Sequence, residues 1–197
     1  MSYQGKNNAQ GFTLIELVVG LAICLILMGV AVGIFNTQRK SYIMQEQVIE
    51  MQQNVRIAID MMVREIRMAG YDPSNSGFVG IGNHTATLLQ ILADHDGNGT
   101  TDAGNEDITY CYYNANDATY PREIKRQTGG GTFQPLAENI EECNFLYYDG
   151  NGIATTTASS IRQIRVTVTG RTAKADLNFG YRYGTLTSLL TPENLGL

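Results

Sequence analysis

The residues best equipped for chemistry lie together in Asp94-His95-Asp96-Gly97-Asn98-Gly99-Thr100-Thr101-Asp102-Ala103-Gly104-Asn105-Glu106-Asp107. Asp94, Asp96, Asn98 and Asp102 fall at positions 1, 3, 5 and 9 of a calcium loop. Gly99 takes the sharp-turn position 6, and Thr100 can offer its carbonyl at position 7. Alternate residues of such a loop point inward, so a short segment can surround a hard cation with oxygens. The pattern departs at its end: position 12 is Asn105, and the acid Glu106 comes one residue later. His95, at position 2, is expected at the surface. The flanks read as strands, so this is not a helix–loop–helix site. Two outcomes stay open: a Ca2+ site made by Asp94, Asp96, Asn98, Thr100, Asp102 and Glu106, or an Asx/Gly hairpin turn with solvated acids.

A second chemical group stands alone. Glu16 is the only charged residue in the 24 from Phe12 to Phe35. A helix of that length rises about 36 Å, enough to cross the ~30 Å core of a bilayer. An unpaired acid near the end of a span costs up to ~3 kcal/mol, so Glu16 needs a partner. The apolar run is too long for a secretory signal, and Asn36-Thr37-Gln38-Arg39 follows it instead of a small-residue cleavage site. Lys6 on one side and Arg39-Lys40 on the other leave the orientation undecided. Within the run, Gly29 and Gly33 form a G-x-x-x-G that lets helices approach closely.

Other chemistry is sparse. Two histidines, no tryptophan, and no partner arrangement around His84 or Ser159-Ser160 give no catalytic set, and no enzyme is expected. Fourteen Lys and Arg against nineteen Asp and Glu, a net charge of -5, disfavour a nucleic-acid surface. Cys24 lies in the apolar run and acts as a small hydrophobe. Cys111 and Cys143 lie beyond it. In an oxidising compartment they would pair and stabilise by roughly 3–4 kcal/mol; the alternative is two buried free thiols.

Gly11-Phe12-Thr13-Leu14-Ile15-Glu16-Leu17, behind a short polar leader and ahead of the apolar run, resembles the cleavage and methylation motif of type IV prepilins. The resemblance implies cleavage after Gly11 by a prepilin peptidase and N-methylation of Phe12 by the same enzyme. It also implies an assembly contact between Glu16 and the N-terminal ammonium of a neighbouring subunit. The leader would lie in the cytoplasm of a bacterium, with a single pass through the inner membrane. Other major and minor pilins would be the partners. The proline that major pilins carry about two-thirds along the helix is missing, and Gly29 and Gly33 stand in that region.

The helical pattern continues past the run. Met44, Val48, Met51, Val55, Ile59, Met62, Ile66 and Ala69 make one apolar stripe at helical spacing, with Asp60 and Arg64 paired at i,i+4. Gly70 reads as the C-cap, and Asp72-Pro73 as the stop. Beyond Pro73 the period changes to two. Strands are predicted at Thr87–Ala93, Asp107–Tyr113, Glu123–Arg126, Cys143–Tyr148, Ile161–Thr169 and Leu177–Tyr183. The tyrosines 110, 112, 113, 147, 148, 181 and 183 are read as strand core and cross-strand pairs rather than a ligand platform.

The expected fold is therefore α+β: one long N-terminal helix packed on an antiparallel β-sheet. Residues 1–11 would be the leader, 12–35 the membrane and filament-core helix, 36–70 its amphipathic continuation and 71–197 the exported β domain. Arg64–Pro73, Pro135–Ile140 and Tyr147–Gly150 resemble minor pilins of the W type, related to the J-type pseudopilins of type II secretion. That implies a structural subunit of a type IV pilus, placed at the tip in a priming complex. The rivals are a J-type pseudopilin and a pilus-tip adhesin.

Overall fold

The computed structural model describes residues 11–102, 104–176 and 180–195. The chain divides into two units, Met1–Gln45 and Glu46–Leu197, and one helix, α1 (Leu14–Arg67), contributes to both. In the first unit the described residues are helix with a short non-helical lead-in, and almost every side chain is exposed. Nothing interrupts the helix at Gly29 or Gly33, where an added Cβ would meet open space. This stretch is long and apolar enough to cross a membrane.

In the second unit α1 turns one face inward. Met51, Val55, Ala58, Ile59, Met62 and Ile66 are buried on it, and Ala69 just beyond its end. They follow the stripe read from the sequence, since residues three and four apart share a helix face. Burying each of the larger side chains, the valine, isoleucines and methionines, contributes about 1.5–3 kcal/mol. Arg64 does not bridge to the Asp60 carboxylate; its Nε donates to the Asp60 carbonyl oxygen at 3.3 Å. Past the end of α1 the chain turns at Gly70, whose φ of 77° is left-handed and whose N–H donates to the Leu92 carbonyl at 2.9 Å.

The β part is two antiparallel sheets where one was expected. The first runs in chain order: β1 (Ile81–His84), β2 (Leu88–Leu92), β3 (Asp107–Tyr113), β4 (Glu123–Thr128) and β5 (Gln134–Ala137). The second is β6 (Ile140–Tyr148), β7 (Gln163–Arg171) and β8 (Tyr183–Leu190). Alternate residues face a single core shared with α1: Leu89 and Ile91, Ile108, Tyr110 and Tyr112, Ile124, Phe145 and Tyr147, Ile164, Val166 and Val168. The sheets meet where the Phe145 N–H donates to the Ala86 carbonyl at 2.8 Å and the Tyr112 hydroxyl to the Glu141 carbonyl at 2.6 Å.

The predicted strand Leu177–Tyr183 is corrected. Residues 177–179 lie outside the described residues, Asp176 and Gly180 form an isolated bridge, and the strand proper begins at Tyr183. In the β7–β8 ladder Gly170 and Gly184 lie opposite each other. A Cβ at Gly170 would sit 2.5 Å from Val55 Cγ2, and one at Gly184 2.8 Å from Met51 Cε. The two glycines make the hollow into which α1 packs.

Candidate processing and assembly site

Gly11, Phe12 and Thr13 precede α1 and have no regular structure; Phe12 is 90% exposed. An added Cβ at Gly11 would touch nothing within 4 Å. Packing within the chain therefore places no demand for glycine there, and a demand would come from an enzyme cleft that takes the backbone in extended form. Lys6 and the other residues before Gly11 lie outside the described residues.

Thr13 and Glu16 close a reciprocal cap on the first turn of α1. The Thr13 N–H donates to Glu16 Oε2 at 2.9 Å, its hydroxyl donates to the same oxygen at 3.0 Å, and the Glu16 N–H donates back to Thr13 Oγ1 at 3.3 Å. This is a capping box, T-x-x-E, which satisfies backbone donors that a helix start leaves without partners. The sequence reading missed it, although Thr13-Leu14-Ile15-Glu16 spells the signal. Both bonds to the carboxylate fall on Oε2; Oε1 accepts none among the described residues. One oxygen of Glu16 is thus committed to its own helix, and the other is open to a cation from elsewhere.

The acidic loop folds around Asp94, which is fully buried. Its Oδ1 accepts the N–H of Gly97 at 2.7 Å and of Asn98 at 3.2 Å; its Oδ2 accepts the Gly99 N–H at 3.0 Å and the Ser74 hydroxyl at 2.6 Å. The Ser74 hydrogen bond and those amides hold the Asp94 carboxyl below the usual range. Gly97 and Gly99 adopt φ of 75° and 83°, as so tight a wrap requires. Glu106 is also buried and accepts the N–H groups of His95 and Asp96 at 2.9 and 3.2 Å.

Asp94, Asp96 and Glu106 bring one carboxylate oxygen each to within 4.8 Å of one another. Asn98 and Asp102 turn to Thr100, whose Oγ1 lies 2.6 Å from Asn98 Oδ1 and 2.7 Å from Asp102 Oδ1, its one proton serving either oxygen. Ala103 lies outside the described residues. His95 is exposed and stacks on Tyr71, with ring centroids 6.1 Å apart.

The expected Cys111–Cys143 bridge is not formed; both thiols are free. Cys143 points into the core from β6, whereas Cys111 lies on the face of β3 opposite the buried Tyr110 and Tyr112. Burial pushes the Cys143 thiol up to about 12, with Cys111 and Glu142 adding to it. Of the tyrosines, 110, 112 and 147 are buried, so they belong to the core.

A cluster the sequence did not announce joins α1 to the first sheet. Glu65 receives Arg126 through Nη2 at 2.7 Å and Nε at 3.0 and 3.1 Å, and the Tyr110 hydroxyl donates to its Oε2. Burial and the Glu65 carboxylate push the Tyr110 hydroxyl far above its ordinary range.

Residues 6–32 match a family model described as the prokaryotic N-terminal methylation motif. That match makes this N-terminus type IV prepilin-like, and it implies processing by a prepilin peptidase and assembly with other pilins. No curated protein and no solved structure matches the chain.

Proposed function

We propose that this chain is a minor pilin of the W/J type that primes a type IV pilus. It enters the inner membrane with its leader in the cytoplasm. It is cut after Gly11, methylated at Phe12, and packed into the fibre through the N-terminal half of α1. The observation that carries this reading is the cap at Glu16. Cleavage makes a cation at Phe12 in or near the membrane, where an unpaired charge is costly. Glu16, one helical turn along, presents Oε1 to such a cation on a neighbouring chain while Oε2 keeps the helix start closed. Each charge is cheaper paired than alone.

The test has three arms. Gly11→Ala is expected to accumulate as the uncut precursor. Glu16→Ala is expected to be cut but absent from fibres. Deleting the gene is expected to lower pilus number. Normal assembly of Glu16→Ala overturns the reading. Normal pilus number with lost attachment makes the protein an adhesin, and a defect confined to protein secretion makes it a J-type pseudopilin.

For the acidic loop we propose Ca2+, held by Asp94, Asp96 and Glu106. The support is the convergence of these three carboxylates together with the calcium-loop spacing, Glu106 standing in for the absent acid at position 12. Bound there, the ion would tie the loop to the start of β3. Calorimetry on the detergent-solubilised chain is expected to show binding that Asp96→Ala weakens. No heat at millimolar Ca2+ removes the metal.

A further inference from the structure

Among the described residues the two sheets have four edges, and three of them are closed. β1 is four residues long, with its register broken between Ile81 and His84. β5 is four residues long and contains Pro135. The outer side of β6 is occupied: Phe145 donates to the Ala86 carbonyl at 2.8 Å and Ile140 to the Arg122 carbonyl at 2.9 Å. A short strand, a bulge, a proline and a covering segment are the devices by which proteins block an edge.

β8 has none of them. It is eight residues, Tyr-Gly-Thr-Leu-Thr-Ser-Leu-Leu, without charge or proline. It pairs with β7 along its whole length, and no strand lies beyond it among the described residues. Large apolar side chains flank the open edge on both faces. Leu186 is on the core side and 39% exposed; Tyr183 and Leu189 are on the outer side and 57% and 54% exposed.

We infer that β8 receives an extended strand from a different subunit of the fibre; the inference rests on the fibre reading above. An open row of backbone N–H and C=O groups is satisfied best by another strand, with flanking pockets reading its alternate side chains. A second copy of this chain does not fit. Antiparallel β8–β8 pairing centred on Leu186 would match Thr185 with Thr187 and Tyr183 with Leu189. Its two-fold axis, normal to the sheet, would also reverse the Glu46–Arg67 part of α1 that lies on the sheet face. On the fibre reading, the subunits of one helical fibre all run the same way. Head-to-tail pairing of copies fails because the other three edges are closed. The occupant is thus a non-identical pilin-like subunit with an open edge strand of its own.

The test places the photoreactive amino acid p-benzoylphenylalanine at Leu189 of the full chain in fibre-forming cells, with Glu142 on β6 as the control position. The expected result is an adduct from position 189 and none from 142. Mass spectrometry should identify its partner as a protein with its own N-terminal methylation motif, joined through a strand. Leu186→Lys should cut the yield about tenfold, a loss of about 1.4 kcal/mol. Thr187→Lys, on the outer face, decides the matter if Leu186→Lys misfolds. An adduct of twice the chain's own mass, no adduct, or a yield indifferent to both lysines overturns the inference. Processing at Gly11 is read from the same cells. Failure there sinks the fibre reading, whereas normal processing without the adduct sinks only the β8 assignment.

Discussion

Glu65 of α1 and Arg126 of β4 form a forked ion pair, with Nε and Nη2 of the guanidinium on one carboxylate and the Tyr110 hydroxyl completing it. Both side chains are about three-quarters buried. Removing one partner strands a charge in the core, the costly way to break such a pair. Arg126→Met is expected to lower stability by about 2 kcal/mol, short of a fully buried pair because solvent still reaches this one. Glu65→Gln with Arg126→Met should recover part of the loss. Urea unfolding of the single and double variants measures the coupling.

Acid should open the loop around Asp94. Its carboxyl titrates below the ordinary aspartate value of 3.8 because the Ser74 hydroxyl and the amides of Gly99, Gly97 and Asn98 bind the charged form. A depressed folded value means the stabilisation is complete above the ordinary value and disappears as pH falls through the folded one. Asp72, held down chiefly by the Gly77 amide, loses its turn in the same direction. The protection factors of the Gly97 and Gly99 amides, taken against the intrinsic rate at each pH, are expected to fall below about pH 4. Asp94→Asn should abolish that pH dependence.

Alkylation should tell the cysteines apart. At pH 8 a thiol raised to about 12 is almost entirely protonated, and Cys143 is also shielded from reagent. Iodoacetamide is expected to label Cys143 only after unfolding, and Cys111, half-exposed on β3, before it. A protein purified from its own host that is lighter by two hydrogens would restore the bridge.

Gly170→Ala should destabilise without touching any polar group. Its methyl would press on Val55 Cγ2 and on Met51 Cγ, 3.0 Å away, both in the packed face of α1. A loss of about 1–3 kcal/mol is expected, as for other overpacked cores. Thermal melts measure it, and Val55→Ala in the same chain should relieve part of the strain.

The helix was legible because its stripe repeats over many turns, so Met51, Val55, Ile59, Met62 and Ile66 each reinforced the next. β3 and β7 were legible because both alternate cleanly between core and surface. β1, β5 and β8 were not. β1 begins Ile-Gly-Asn and β5 holds Pro135, and both are short edge strands whose sequences look like turns. In β8, Gly184 looks like a break, yet it is there to let Met51 in. The split into two sheets depends on contacts such as Phe145 to Ala86, which no local pattern encodes. At the N-terminus Glu16 stood out by residue type, as the one charge in the apolar run, whereas Gly11 and Phe12 stood out only through the resemblance to a known motif. The meeting of Glu65, Arg126 and Tyr110 came from residues 61 positions apart at the extreme.

The exposed apolar surface of α1 between Phe12 and Phe35 has a thermodynamic consequence. Lipid tails and neighbouring pilin helices are equally oily, so moving this segment from one to the other changes its contact with water very little. Hydrophobic burial therefore cancels from the balance between bilayer and fibre. What remains is small: side-chain fit and, on the reading proposed above, a paired charge at Glu16 and a strand shared at β8. A polymer joined by such near-equal exchanges can lengthen or retract with little intrinsic bias, and its direction of travel has to be imposed from outside the subunit.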